Sequence, residues 1–241
     1  MREERLGGLT VRITGGTDGR GGGVGPVVVL LHGFGAPGDD MVWLGRALDA
    51  PAGTRFVFPE GPLFLDLGIV ESHAWWMIDL EKVAREVAAG RLRELSREVP
   101  PGLTEARERV VALLRDLDRR AGVKPSQTVL GGFSQGAMLA CDVALRQEQP
   151  FAGLALLSGT LLARDQWEPL ARRRRGLRIF QSHGSQDPLL PFALAEQLRD
   201  LLTRAGLSVE WIGFRGGHEI PEPVIGRLGT FLKRILGPPA R

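Results

Sequence analysis

Short, wholly apolar runs recur along the chain, and stretches with a three-to-four-residue apolar period lie between them. Leu9-Thr10-Val11-Arg12-Ile13-Thr14 alternates and predicts a strand with one buried face. Val27-Val28-Val29-Leu30-Leu31 is apolar throughout, as in a strand covered on both faces. Residues 55–59, 128–131, 153–157, 177–180 and 208–214 read as further strands. Helical periodicity runs over residues 39–48, 103–121, 137–146, 192–205 and 222–235, with Asp39 or Asp40 expected to cap the first. The clearest is 103–121, where Val110, Val111, Leu113, Leu114 and Leu117 form one apolar face. Strands that alternate with helices predict an α/β fold, with a mostly parallel central sheet and helices on both faces.

Two stretches break this rhythm. Residues 15–25 are glycine-rich and predict a flexible turn. Residues 61–101 hold Leu63-Phe64-Leu65, then His73-Ala74-Trp75-Trp76-Met77-Ile78-Asp79, then helical pieces between 81 and 98 that stop at Pro100-Pro101. We read 1–241 as a single domain in which 61–101 is a lid or acyl-groove segment.

In parallel sheets, ligands sit beyond the carboxyl ends of the strands. Three of those ends carry reactive side chains: Ser134, Asp187 and His218. Ser134 lies in Gly132-Phe133-Ser134-Gln135-Gly136, between a strand and a helix, which is the pattern of a nucleophile elbow. With 33 glycines in the chain, chance could supply the pentapeptide, so its flanking elements and downstream partners carry the reading. A serine hydroxyl attacks poorly until a base takes its proton. Imidazole titrates near neutrality, and a carboxylate can fix its tautomer and stabilise the imidazolium. An oxyanion would need donors. The backbone N–H of Gln135 is one candidate, and that of Phe34, in His32-Gly33-Phe34-Gly35, is the other.

Of the four histidines, His218 alone follows the acid. His32 and His183 each precede a glycine at a strand end, where backbone hydrogen bonding is the expected task. His73 lies in the irregular segment near Trp75.

Composition narrows the remaining classes. At 43% hydrophobic the chain can bury a large core, and no apolar run is long enough to span a bilayer. The charged start, Met1 to Arg5, has no apolar stretch after it, so no signal peptide is expected. A single cysteine, Cys141, excludes an internal disulfide, no metal-ligand cluster is evident, and a reducing cytoplasm fits. The net charge of +3 is small, and its sharpest feature is Arg172-Arg173-Arg174-Arg175. That run is read as a solvated helix end, with no accompanying nucleic-acid motif.

Taken together, the segments Leu31-His32-Gly33-Phe34-Gly35, Ala74-Trp75-Trp76 with Asp79, the elbow, His183-Gly184-Ser185-Gln186-Asp187 with Leu190-Pro191, and Gly217-His218-Glu219-Ile220 resemble the phospholipase/carboxylesterase family of α/β-hydrolases. That family includes the acyl-protein thioesterases. The resemblance implies an α/β-hydrolase fold and hydrolysis of carboxylic esters or thioesters without metal or organic cofactor. It gives Ser134, Asp187 and His218 the nucleophile, acid and base roles. Short- to medium-chain acyl esters are the expected substrates, with thioesters and lysophospholipids as variants, and Trp75, Trp76, Met77 and Leu190 as candidate contacts. Ala137, where the family often has glycine, bears on substrate fit. The expected partner is a small acyl ester, not nucleic acid or a membrane interior, and a homodimer is left open.

Two rival readings stand beside this one. Gly33-Phe34-Gly35-Ala36-Pro37-Gly38 formally matches a dinucleotide-binding turn, with Glu60 further on. Asp39 and Asp40 would then repel the pyrophosphate at the helix start. The other rival is a binding protein that keeps the hydrolase fold without catalysis.

Overall fold

The computed structural model describes residues 1–66 and 71–237. In chain order its elements begin with β1 (Arg2–Leu6), β2 (Leu9–Gly16), β3 (Arg20–Gly22), β4 (Val27–Leu31), α1 (Leu44–Ala47), β5 (Arg55–Pro59), β6 (Leu63–Asp66) and β7 (Glu71–Ala74). The helices α2 (Leu80–Ala88), α3 (Leu92–Arg97) and α4 (Leu103–Ala121) follow. The chain then alternates through β8 (Thr128–Phe133), α5 (Gln135–Arg146), β9 (Gly153–Leu157), α6 (Arg164–Arg172), β10 (Arg178–Gly184), α7 (Phe192–Arg204), β11 (Ser208–Phe214) and α8 (Glu222–Leu236).

One sheet holds the order β1-β2-β5-β4-β8-β9-β10-β11, with β3 beside β2. From β5 to β11 every neighbouring pair is parallel, and β1 and β2 join antiparallel at one edge. The expected mostly parallel sheet is therefore present. Its central strands feed two cores by simple alternation. Val27, Val29 and Leu31 face the core formed with α4 to α7, while Val28 and Leu30 face the one formed with α1 and α8. Each apolar residue of β4 thus faces a packed layer, which is why that strand reads as unbroken hydrophobic sequence.

Several expectations change. The N-terminal charges hide a strand: β1 pairs with β2 through the turn Gly7-Gly8, whose φ angles of 58° and 80° suit a tight hairpin. Within residues 15–25, β3 pairs with β2, and the Asp18 carboxylate accepts hydrogen bonds from the N–H groups of Arg20 and Gly22. The helix expected over 39–48 is reduced to the single turn α1, preceded by three-residue turns, and neither Asp39 nor Asp40 caps it. Met41 and Leu44, three apart and both buried, favour that tighter winding.

The described residues of 61–101 also hold strands that their sequence does not announce. Strands β6 and β7 form a separate antiparallel pair, while α2 and α3 match the helical pieces expected between 81 and 98. Asp79 accepts from Lys82 N–H at the start of α2, and Lys82 reaches Glu98 at 2.7 Å. Among the described residues, no helix is long and apolar enough to cross a membrane.

Candidate active site

Ser134 stands between β8 and α5 with φ 54° and ψ −117°, a conformation that costs a non-glycine residue about 1–3 kcal/mol. Hydrogen bonds hold it there from both sides. Its N–H donates to Leu157 O at 2.8 Å, and its carbonyl accepts from Ala137 at 3.0 Å and Met138 at 3.2 Å. The glycines explain the close passage. A Cβ at Gly132 would lie 2.5 Å from Leu31 O, and one at Gly136 would collide with the Leu31 carbonyl. Ser134 is half-buried, so solvent still reaches the turn.

His218 follows β11 and donates from Nδ1 to Asp187 Oδ2 at 2.6 Å. With its proton on Nδ1, the ring keeps Nε2 as an acceptor. The imidazole packs on Phe133, the residue before Ser134, with ring centroids 4.7 Å apart. Ser134 and the Asp187–His218 pair therefore meet at one rim. Among the described residues Ser134 Oγ makes no hydrogen bond with the imidazole. Such bonds commonly tighten only when substrate binds.

Asp187 is fully used. Oδ1 accepts from the N–H groups of Leu189 (2.8 Å) and Leu190 (2.9 Å), and the side chain has no exposure. Burial pushes its carboxyl pKa up. Hydrogen bonds from His183, from His218 and from the Leu190 N–H outweigh that and hold it well below the usual carboxylate range. The acid stays ionised at any working pH.

The loop after β4 is braced by the other histidines. His32 accepts from Gly61 N–H at Nε2 (2.8 Å), so its Nδ1–H donates to Gly33 O at 2.7 Å. Burial lowers its pKa to about 4 and keeps it neutral. His73 does not turn toward the rim. Its Nδ1 lies 3.0 Å from Gly61 O, and its backbone exchanges hydrogen bonds with Gly35 and Ala36 at 2.9 Å each. Gly33 then lies against the elbow, since a Cβ there would sit 3.4 Å from Ser134 Cβ. Among the described residues, neither Phe34 N–H nor Gln135 N–H has a backbone acceptor.

An apolar cavity of about 410 Å³ opens beside Met138, in the first turn of α5. Trp76, Met77, Leu162, Leu190 and Leu194 line it, and the Lys82–Glu98 ion pair forms part of its wall. Trp75, expected with them, is absent from this wall. Its indole is buried and donates to His32 O at 3.0 Å.

Two side chains have tasks that their sequence positions did not announce. The Gln135 amide accepts from Trp75 N–H (2.9 Å) and donates to Trp76 O (2.8 Å), fastening the cavity wall to the elbow. His183, besides the expected backbone contact with Leu190 O, reaches within 3.2 Å of Asp187 Oδ2. Its place four residues before the acid, at a strand end, was the available signal.

A family model described as Phospholipase/Carboxylesterase matches residues 22–236. The chain is 27% identical over 225 residues to acyl-protein thioesterase 1 of Aspergillus fumigatus, covering 88% of each chain. It is 27% identical over 231 residues to acyl-protein thioesterase 1 of Saccharomyces cerevisiae, covering 87% of this chain and 92% of that one. Among solved structures it resembles esterase PE8, with a TM-score of 0.79 and 28% identity over 95% of this chain and 99% of that one. A Bacillus cereus carboxylesterase, at 18% identity with a TM-score of 0.66 over 94% of each chain, shares the fold.

Proposed function

Since the chain belongs to the phospholipase/carboxylesterase family of α/β-hydrolases, and is thereby a carboxylic ester hydrolase, we propose that it cleaves short- to medium-chain acyl esters through a serine acyl-enzyme. Ser134 Oγ attacks the ester carbonyl as its proton passes to His218 Nε2, and Asp187 stabilises the imidazolium. The oxyanion is held by the N–H groups of Phe34 and Gln135. His218 returns the proton to the leaving alcohol, and water repeats the sequence to free the acid and regenerate Ser134. The acyl chain lies in the cavity beside Met138, whose volume of about 410 Å³ falls within the usual range for small-molecule sites, about 300–1,000 Å³. We take residues 61–101 as its cover. A reducing cytoplasm is the proposed compartment, on the strength of the single buried thiol of Cys141.

The observation that carries this reading is the 2.6 Å Asp187–His218 bond beside a serine held at φ 54°. A panel of p-nitrophenyl esters of rising chain length, with a thioester and a lysophospholipid, tests it together with fluorophosphonate labelling. Turnover falling off beyond medium chains, with the label on Ser134, is expected. A folded protein that neither labels nor turns over any ester would favour a binding role instead.

A further inference from the structure

We infer that His183 is a positioning residue, orienting Asp187 and tying it to the wall of the acyl cavity through the Leu190 carbonyl. The inference rests on the serine mechanism proposed above. His183 sits near the end of β10 with no exposed side-chain area. Its Nε2 lies 2.9 Å from Leu190 O and 3.2 Å from Asp187 Oδ2, so one N–H serves two acceptors. Nδ1 is buried and has no partner among the described residues. A proton there would be stranded, whereas one on Nε2 faces two acceptors. An edge-on contact with Phe192, ring centroids 6.1 Å apart, fixes the ring plane.

Asp187 Oδ2 is therefore shared by two imidazoles. His218 approaches from the rim and His183 from the sheet side. Among the described residues, these two rings are the only titratable side chains in contact with the acid. Glu219, next to His218 in the chain, accepts from Gly217 N–H at 3.2 Å. A second donor on Oδ2 withdraws part of the charge that His218 would otherwise feel. Without it the carboxylate holds the protonated His218 ring more strongly. The same N–H also restrains the loop. Leu190 gives its N–H to Asp187 Oδ1 and its carbonyl to His183, and its side chain lines the cavity. An acyl chain pressing on Leu190 thus bears on the acid.

His183→Leu removes the donor, and His183→Gln replaces it with an amide N–H of similar reach. Both are compared with the parent enzyme on the ester panel, with rates expressed per fluorophosphonate-labelled serine. For His183→Leu, kcat should fall about tenfold with KM for a short ester nearly unchanged. The acid limb of kcat/KM should move up by roughly half a unit, and longer esters should suffer more than short ones. His183→Gln should recover most of kcat and return the limb. A purely structural histidine would reduce the labelled fraction and the melting temperature but leave the limb in place. Should the leucine variant not fold, His183→Asn, whose amide is too short to span to Oδ2, carries the same expectations. An unmoved limb with kcat per labelled site within twofold of the parent would overturn the inference, as would a glutamine variant as impaired as leucine. A parent enzyme that does not label at Ser134 fails the mechanism itself, and the inference with it.

Discussion

Two polar clusters draw the eye in this sequence, and they lie at opposite ends of one sheet. At the carboxyl ends of the strands stand Ser134, Asp187 and His218, spread over more than eighty positions of the chain yet meeting at one rim. At the amino end lies Arg172-Arg173-Arg174-Arg175, four neighbours running from the last residue of α6 toward β10 beside a cleft of about 440 Å³. The arginines settle locally. Arg172 pairs with Glu168 at 3.1 Å, and Arg174 donates to Leu145 O (3.2 Å) and Glu148 O (3.1 Å), at the carbonyl-rich end of α5. Cations at two helix C-termini are sufficient reason for the run. The rim instead requires a strained serine, a buried ionised acid and two N–H groups without backbone acceptors. On the proposed mechanism, function is marked less by charge density than by polar groups brought from afar, with the serine hydroxyl and two N–H groups left unspent.

The largest effect that would break this contrast is at the elbow. Ser134→Ala should lower kcat by about four orders of magnitude or more while the melting temperature stays within a few degrees of the parent. Activity assays beside thermal melts decide it. Retained turnover would mean that the rim is as inert as the arginine end, and the convergence accidental.

Acidification should sharpen the contrast next. His32 is buried and neutral, with its pKa lowered from 6.5 to about 4. Between those values the unfolded chain binds a proton that the folded chain refuses, so stability falls as pH drops from about 6.5 towards 4. The full difference is about 3 kcal/mol at 1.36 kcal/mol per unit. Asp187 has the opposite protonation chemistry and a lower window. Its depressed pKa stabilises the fold above the ordinary carboxylate value, and that contribution is lost as pH falls below about 4. Denaturant titrations at pH 7 and pH 4.5 should show the first effect. His32→Gln, which keeps an acceptor for Gly61 N–H, should flatten it. An equally steep acid loss in that variant would place the sensitivity elsewhere.

How far the sequence disclosed this arrangement depends on how local each signal was. The apolar runs of β4 and β9 and the elbow's glycines are read directly, because each element declares itself within ten residues. The pattern lost β1, because its charged residues lie on an edge strand that water covers on one side. It lost β6 and β7 because their pairing, Leu63 opposite Ala74, spans a connection without a tight-turn signal. Side-chain tasks set by distant partners stayed hidden. Gln135 clasps Trp75 and Trp76, sixty residues away in sequence, and adjacent tryptophans part ways, one toward His32 and the other into the cavity wall. A residue type at a strand end can be read in one dimension, but the path of a loop back to it cannot.

The smallest expected effects belong to the amino end, and they test whether its charge is only structural. Arg174 is partly buried and bonded to two carbonyls, so Arg174→Ala should lower stability by about 1 kcal/mol, the upper part of the range for a cation at a helix terminus. Arg173 and Arg175 are exposed and make no side-chain hydrogen bond or ion pair among the described residues. Replacing both with serine should leave the melting temperature and the kcat/KM of every ester where they were. If the run served a phosphate or an anionic lipid surface, inorganic phosphate or phosphatidylserine vesicles would raise the parent's melting temperature but not that of the doubly substituted protein. Such a rise would show that the two ends of the sheet differ in ligand rather than in purpose, because a site built only from neighbouring residues would then be a site all the same.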